Sequence, residues 1–342
     1  MLSRLLLFLT ALCLGSMLAK LHIPIPFILG GLITAVCCKA FVPKNPVTWP
    51  KNWREYGMVV AGYGIGATFT ASTWNKFLSE LTGVAESTVA IIGTSVLLAA
   101  LASKLSSENL KTCIIGMMPG GMTLSMLLAE EDAEVNPNAV MVMQIIRLLG
   151  VVITVPFLVV WLLDAHVVGS GLAMPNRGGL HWLIFVPLSI VGSYVALKIH
   201  MPTPRLLGPI LATAAFSVLA GSLQPVPVWI MAPAQLSIGL FMGMQLDAEK
   251  IIRARRLVPL VVFGTATMIV VSILMGDLLS SRYGFSLITA FLAMAPGGIA
   301  EMSLAGMSMN EDVSVILTYQ LVRLMAVNIC VPLALNWWFG KK

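Results

Sequence analysis

A chain of 342 residues with 58% hydrophobic and only 11% charged side chains is not composed like a soluble protein, since soluble domains carry about 25% charged residues to wet their surface. The solvent for most of it is lipid. The net charge of +6 comes without any long basic run, which argues against a nucleic-acid partner and reads as topology information for membrane insertion.

Apolar stretches of spanning length, about 18–25 residues, run near 2–20, 24–42, 56–75, 83–103, 136–163, 180–199, 203–221, 228–246, 257–279 and 312–339. Two further apolar segments, near 109–129 and 286–308, are interrupted at their centres by Pro119-Gly120-Gly121 and Pro296-Gly297-Gly298. The first stretch looks like a secretory leader, with Arg4 ahead of a leucine-rich run. An interior copy of the same segment argues that it is a retained helix. Gly62-x-Gly64-x-Gly66 lies within an apolar span and marks close helix packing. Cys13, Cys37, Cys38, Cys113 and Cys330 sit in or beside apolar runs without a Cys-x-x-Cys spacing, so no disulfide framework is expected.

The interior copy is part of a duplication. His22-x-Pro24-x-Pro26-x-x-x-Gly30 returns as His200-x-Pro202-x-Pro204-x-x-x-Gly208, 178 residues later. Ile65-Gly66 returns as Ile238-Gly239, and Pro119-Gly120-Gly121 as Pro296-Gly297-Gly298. Gln144-x-x-Arg147-Leu148 returns as Gln320-x-x-Arg323-Leu324, and each is followed by a matching proline, Pro156 and Pro332. Chance apolar similarity does not preserve Gln, Arg and paired prolines in order. The chain therefore divides into a first membrane repeat at 1–165, a polar linker at 166–177 and a second repeat at 178–342.

Charge distribution chooses between two topologies. If the broken segments cross the bilayer, each repeat has six spans and the repeats are parallel. If they dip in and return, each repeat has five and the repeats are inverted. Leaving out Arg147 and Arg323, which lie within spans, the basic residues divide 15 to 4 in the inverted arrangement and 11 to 8 in the parallel one. The positive-inside rule favours the inverted arrangement, with both termini in the cytoplasm. The expected fold is an all-α membrane protein of two inverted helical repeats, about five spans each, plus two re-entrant segments.

Several residues carry candidate chemistry. A Pro-Gly-Gly break removes a backbone donor and relaxes the helix. At membrane depth its loosened backbone must pack in protein or line a wet cavity, as it does around the substrates of secondary transporters. Arg147 and Arg323 lie deep in apolar helices, where a lone Arg costs about 2.5–3.5 kcal/mol on insertion scales. Gln144 and Gln320 share their helical faces. The residues form either polar clamps for a carboxylate substrate or caps on the open carbonyls of the breaks. Glu301 follows the second break and faces Leu124 in the repeat alignment. It is a proton or cation site or a structural counter-charge for Arg323. Asn328 adds a polar group to the last span. Glu130, Glu131, Asp132, Glu134, Glu311 and Asp312 read as solvated loop ends, with a cation vestibule as the alternative. His22 and His200 suit anchoring at headgroup level. No metal-ligand cluster, phosphate loop or nucleophile elbow is visible, so no metal, cofactor or catalytic residue is expected and the chain does not read as an enzyme.

Duplicated Pro-Gly-Gly, each followed about 25 residues later by Gln-x-x-Arg, with a Pro-x-Pro-x-x-x-Gly helix opening each half, resembles the AbrB-type duplicated membrane protein family of bacteria. The resemblance covers essentially the whole chain. It departs at Met122-Thr123-Leu124, where smaller residues are the family pattern. It implies labels such as regulator of gene expression or ammonia monooxygenase. Neither follows from the residues, because the polar stretches 43–56 and 247–256 are too short to fold alone and metal ligands are missing. The expected function is a secondary transporter of a small, anionic solute in the bacterial inner membrane, coupled to a proton or cation, its partners being the bilayer and a second copy in a homo-oligomer. Proline and glycine of both breaks, with Gln144, Arg147, Glu301, Gln320 and Arg323, are the substrate-binding candidates. The alternative is a membrane-embedded regulator acting on expression indirectly.

Overall fold

Helices in this chain stop where its prolines dictate. The computed structural model describes residues 2–41, 48–70, 79–163, 183–220, 223 and 226–339; the linker expected at 166–177 lies outside them. Helix α1 (Leu2–Lys20) ends in a left-handed cap at His22, φ 55°, with the Ile23 N–H donating to the Leu18 carbonyl, the pattern of a Schellman terminus. Helix α2 (Pro26–Phe41) then starts on Pro26, whose missing N–H costs nothing at a first helical position. The second repeat builds the same turn: His200 has φ 55°, the Met201 N–H reaches the Ala196 carbonyl, and Thr203 at φ 45° repeats Ile25 at φ 47°. The histidines expected as headgroup anchors are thus also the left-handed residues of two matched turns.

The other helices of the first repeat are α3 (Lys51–Gly66), α4 (Leu81–Leu105), α5 (Leu110–Met117), α6 (Met122–Glu131) and α7 (Pro137–Leu162). The second repeat supplies α8 (Phe185–Lys198), α9 (Pro204–Ala220), α10 (Val228–Met244), α11 (Ala248–Arg253), α12 (Leu257–Tyr283), α13 (Leu287–Met294), α14 (Ile299–Ser308) and α15 (Val313–Phe339). No strand occurs among the described residues. Helices α1, α4, α7, α12 and α15 are long and apolar enough to cross a bilayer unaided. Helices α2, α3, α8, α9 and α10 have 14 to 17 residues, or roughly 21–26 Å at 1.5 Å per residue. They are shorter than the sequence stretches suggest: the Pro-x-Pro turns set the starts of α2 and α9 at Pro26 and Pro204, and α3, which begins directly after Pro50, already stops at Gly66. Leu97 and Leu274, in the middle of α4 and α12, are 73% and 66% exposed, as suits side chains that face lipid.

The chain forms two compact units, and each draws on both repeats. One comprises Met1–Leu78, Pro156–Leu246 and Ala300–Ser314; the other comprises Ser79–Val155, Asp247–Ile299 and Val315–Lys342.

In the first unit helices meet backbone to backbone at glycines. A side chain on Gly30 would stand 2.6 Å from the Gly15 nitrogen, and the mates of these residues, Gly208 and Gly192, meet in the same way. Small residues allow the close approach on which helix association in lipid depends. The contacts also give directions. Gly239 and Gly243 of α10 meet Ile28 and Leu32 of α2, so α2 and α10 run parallel. Gly62 and Gly66 of α3 meet Leu206 and Ile210 of α9, again parallel. Gly57 and Gly64 of α3 meet Ala234 and Met231 of α10, so that pair is antiparallel. Helix α2 is therefore antiparallel to α9, its own repeat mate.

The second unit shows the same relation directly. Thr82 and Gly83 of α4 meet Tyr283 of α12, the Glu86 carboxylate pairs with Arg282 at 2.8 Å, and Leu98 faces Gly264. Repeat mates α4 and α12 run antiparallel, so the repeats are inverted.

Candidate functional site

Both broken segments are built alike up to the break. The Asn109 side chain accepts from the Thr112 N–H to start α5, and Ser286 accepts from the Thr289 N–H to start α13. Each helix lasts eight residues, since the residue before a proline is pushed out of the helical region. Met118 and Ala295 are extended, with ψ 130° and 136°. The restarts differ. Gly121 takes φ 93°, a region that disfavours any side chain, whereas Gly298 has no positive φ.

The first segment returns to the side it entered from. Lys111, at the start of α5, pairs with Asp132 at 2.9 Å and Glu134 at 2.8 Å, just past α6. The Asn136 N–H donates to the Thr112 hydroxyl at 3.1 Å, and its side-chain amide donates to the Glu108 carboxylate. A segment whose two ends are hydrogen-bonded to each other is a hairpin, not a crossing. The acidic group at 132–134 closes that hairpin.

Inside, each Gln-x-x-Arg seals the carbonyl end of its own break. Gln144 donates to the Ile115 and Met118 carbonyls at 3.0 and 3.1 Å and to the Ser125 hydroxyl at 3.0 Å. Arg147 donates to the Met117 and Met118 carbonyls at 3.0 and 2.8 Å and to Gln144 Oε1 at 2.7 Å. In the second repeat Gln320 donates to the Leu292 and Ala295 carbonyls at 2.9 and 3.0 Å. Arg323 donates to Met294 and Ala295, both at 3.0 Å, to Gly297 at 3.3 Å and to Gln320. The Ser272 hydroxyl adds a further bond to the Met294 carbonyl at 3.1 Å. The capping geometry anticipated for the arginines is thus present in both repeats. It does not satisfy the arginines themselves: Nε of both is buried and without a hydrogen-bond partner, and neither forms an ion pair among the described residues.

The electrostatics follow. The C-terminus of α5 carries about −0.5 of a charge, which one guanidinium over-compensates, and the N-terminus of α6 just beyond adds about +0.5. The first break is net positive. Arg147 and Arg323 are both buried and belong to the same unit. Helix α15 also crosses the first break: Val327 touches Gly120, Leu324 lies 3.5 Å from where a side chain on Gly121 would stand, and Asn328 Oδ1, buried and unpartnered, lies 3.8 Å from the equivalent point on Gly120.

Glu301 is 5% exposed in the first turn of α14. Arg54 of α3 holds its guanidinium 4.9 Å over the Phe241 ring. All of Arg323's hydrogen bonds go to Gln320 and to carbonyls, so the counter-charge role considered for Glu301 has no hydrogen bond behind it. Pro119, Gly120, Gly121, Gln144 and Arg147 form one assembly, and Pro296, Gly297, Gln320 and Arg323 a second. Ser125, Ser272 and the placement of Asn328 at the opposite repeat's break were not among the site residues read from sequence. A serine in an apolar helix gives no signal until its partner carbonyl is known.

A family model described as "Transition state regulatory protein AbrB" matches residues 4–339. The chain is similar to "Uncharacterized protein YhjN" of Bacillus subtilis (strain 168), 26% identical over 93% of this chain and 88% of that protein. It is also similar to "Putative regulator AbrB" of Escherichia coli (strain K12), 23% identical over 94% of this chain and 93% of that protein.

Proposed function

The chain belongs to the AbrB family, and from that premise we propose that this membrane protein is a secondary transporter of a small anionic solute bound at its two helix breaks. The observation that carries the reading is the pair of buried arginines, Arg147 and Arg323, which spend their terminal nitrogens on break carbonyls yet keep an unpartnered Nε and no acidic partner among the described residues. Buried charge at membrane depth marks a pathway or a site when it is not internally neutralised. A carboxylate or phosphate supplies the missing charge and accepts from the open donors. Inverted repeats with discontinuous helices are the architecture in which such sites alternate their access. On this reading the protein moves its solute unchanged. On the same reading ten spans return the chain to its starting side, and the excess of Lys and Arg in its loops supports a cytoplasmic placement of that side, in a bacterial inner membrane.

The test is thermal unfolding of the purified protein against a panel of inorganic phosphate, sulfate, monocarboxylates and dicarboxylates, followed by uptake of any stabilising anion into proteoliposomes. A ligand at a hundred times its Kd adds about 2.7 kcal/mol. That stabilisation should vanish in Arg147→Gln and Arg323→Gln and survive in Lys104→Gln. No shift from any anion, or a shift that survives both arginine variants, overturns the proposal. The printed name of the E. coli relative favours the second reading, a regulator acting indirectly; such a protein would keep its effect on expression when Gly120→Leu fills the first break.

A further inference from the structure

We propose that Asn328 selects the solute of the first break: its side-chain oxygen accepts a hydrogen bond from a hydroxyl on the bound anion, so the preferred cargo is a small hydroxycarboxylate. The inference rests on the anion-binding reading above and names the class of anion.

Helix α15 of the second repeat presses on the first break. Val327 Cγ1 stands 2.2 Å from where a side chain on Gly120 would begin, and Asn328 Oδ1 stands 3.8 Å from the same point. Asn328 Oδ1 is buried and has no hydrogen-bond partner. A row of short contacts joins this glycine to the arginine. The Gly120 N–H donates to the Met118 carbonyl at 2.9 Å, and that carbonyl accepts from Arg147 Nη1 at 2.8 Å. Arg147 in turn has its buried Nε without a partner. The two orphaned groups are of opposite kind. Nε–H is a donor on a positive charge and calls for an anion. Oδ1 is an acceptor and calls for a donor, and leaving it unpaired costs the desolvation of that oxygen. An ammonium donor is disfavoured here, because Arg147 and the first turn of α6 already make the break electropositive. A neutral hydroxyl satisfies the oxygen without adding charge. One small molecule carrying a carboxylate and a hydroxyl answers both groups. Duplication does not account for the asparagine: its repeat mate, 176 residues earlier, is Val152. The scaffold common to both copies does without it.

The test is calorimetric titration of the purified protein with matched acids: lactate against propionate and alanine, and malate against succinate and aspartate. Each hydroxy acid should bind about tenfold tighter than its deoxy analogue, and tighter than its amino analogue. In Asn328→Val and Asn328→Leu that preference should disappear, while the Kd for propionate or succinate and the melting temperature without ligand stay as they were. Equal affinity within each pair, or a preference that survives both variants, overturns the proposal and leaves anion binding standing. So does a loss of succinate or propionate binding as large as the loss of the hydroxy acids, which would make Asn328 a structural residue. If no carboxylate of any kind binds, the hydroxycarboxylate assignment falls, and titration with inorganic phosphate then decides whether the anion site falls with it.

Discussion

The two helix breaks share a sequence motif and a capping scheme but differ in what surrounds them. The first is closed at its mouth by Lys111, turned through a positive φ at Gly121, free of acidic groups within its helices' first turns, and overlaid by Val327 and Asn328 of the other repeat. The second has Ile288 where the first has Lys111, no left-handed glycine, a third carbonyl bonded to its arginine, that of Gly297, and Glu301 where the first has Leu124. Duplication supplied the same scaffold twice. Divergence left one copy electropositive and gave the other an acid.

The largest test of the comparison removes the arginines. Hydrogen bonds from a charged donor contribute about 1.5–3 kcal/mol each, partly offset by no longer burying the charge. Arg147→Ala and Arg323→Ala should each destabilise the protein by on the order of 3 kcal/mol. Arg323→Ala should be the worse of the two by about 1 kcal/mol, since it strands a third carbonyl. Melting in a mild detergent measures both, and equal losses would show that the Gly297 bond contributes nothing. Lysine should rescue neither, because a point charge cannot span two carbonyls and a glutamine oxygen.

The next effect is conformational. Gly121→Ala places a side chain at φ 93° and should cost about 1–2 kcal/mol. Gly298→Ala meets no such region and should cost less. If the two variants melt alike, the difference in restart geometry has no energetic content. Smaller again are the caps: Asn109→Ala and Ser286→Ala should each cost about 1 kcal/mol. Asn109→Ala should be the larger because its amide also donates to the Glu134 carbonyl across the hairpin mouth.

Much of this was legible in the residues, for identifiable reasons. Proline, glycine, glutamine and arginine perform tasks no apolar residue can take over, so Pro-Gly-Gly and Gln-x-x-Arg survived duplication and exposed it. Inversion was legible because lysines and arginines in loops record insertion directly, and the antiparallel pairing of α4 with α12 agrees with that record. The division into two units left no trace, because its partners lie far apart in sequence: Gly239 meets Ile28, and Val327 meets Gly120. Gln144 and Arg147 could be placed on one helix face by their spacing, but not aimed at Ile115, Met117 and Met118, since backbone carbonyls carry no sequence signature. The acids at 132–134 read as a loop end, and only their distances from Lys111 show that they fasten it.

That fastening yields the smallest prediction and the one most specific to the first break. Lys111 and the backbone N–H of Glu134 hold the Asp132 carboxyl below its ordinary range. Glu134 and then Asp132 in turn hold the Lys111 ammonium above its own. A depressed carboxyl contributes stability that is present above its unfolded value, about 3.9, and lost as pH falls through the lower folded value. A raised lysine contributes stability that is present below its unfolded value, about 10.4, and lost as pH rises through the higher folded one. The mouth of the first hairpin should therefore stay closed across the whole neutral range and loosen at both extremes. Amide hydrogen exchange at α5 and α6 should accelerate below about pH 4 after correction for intrinsic rates, while α13, with Ile288 in place of the lysine, should show no matching change. Lys111→Met should flatten the acid response of the first hairpin alone. The Asp132 and Glu134 side chains are partly open to solvent, so the effect is modest in size, but its confinement to one repeat is the point: if α13 loosens in acid together with the first hairpin, the asymmetry between the breaks does not lie at the mouth of the first.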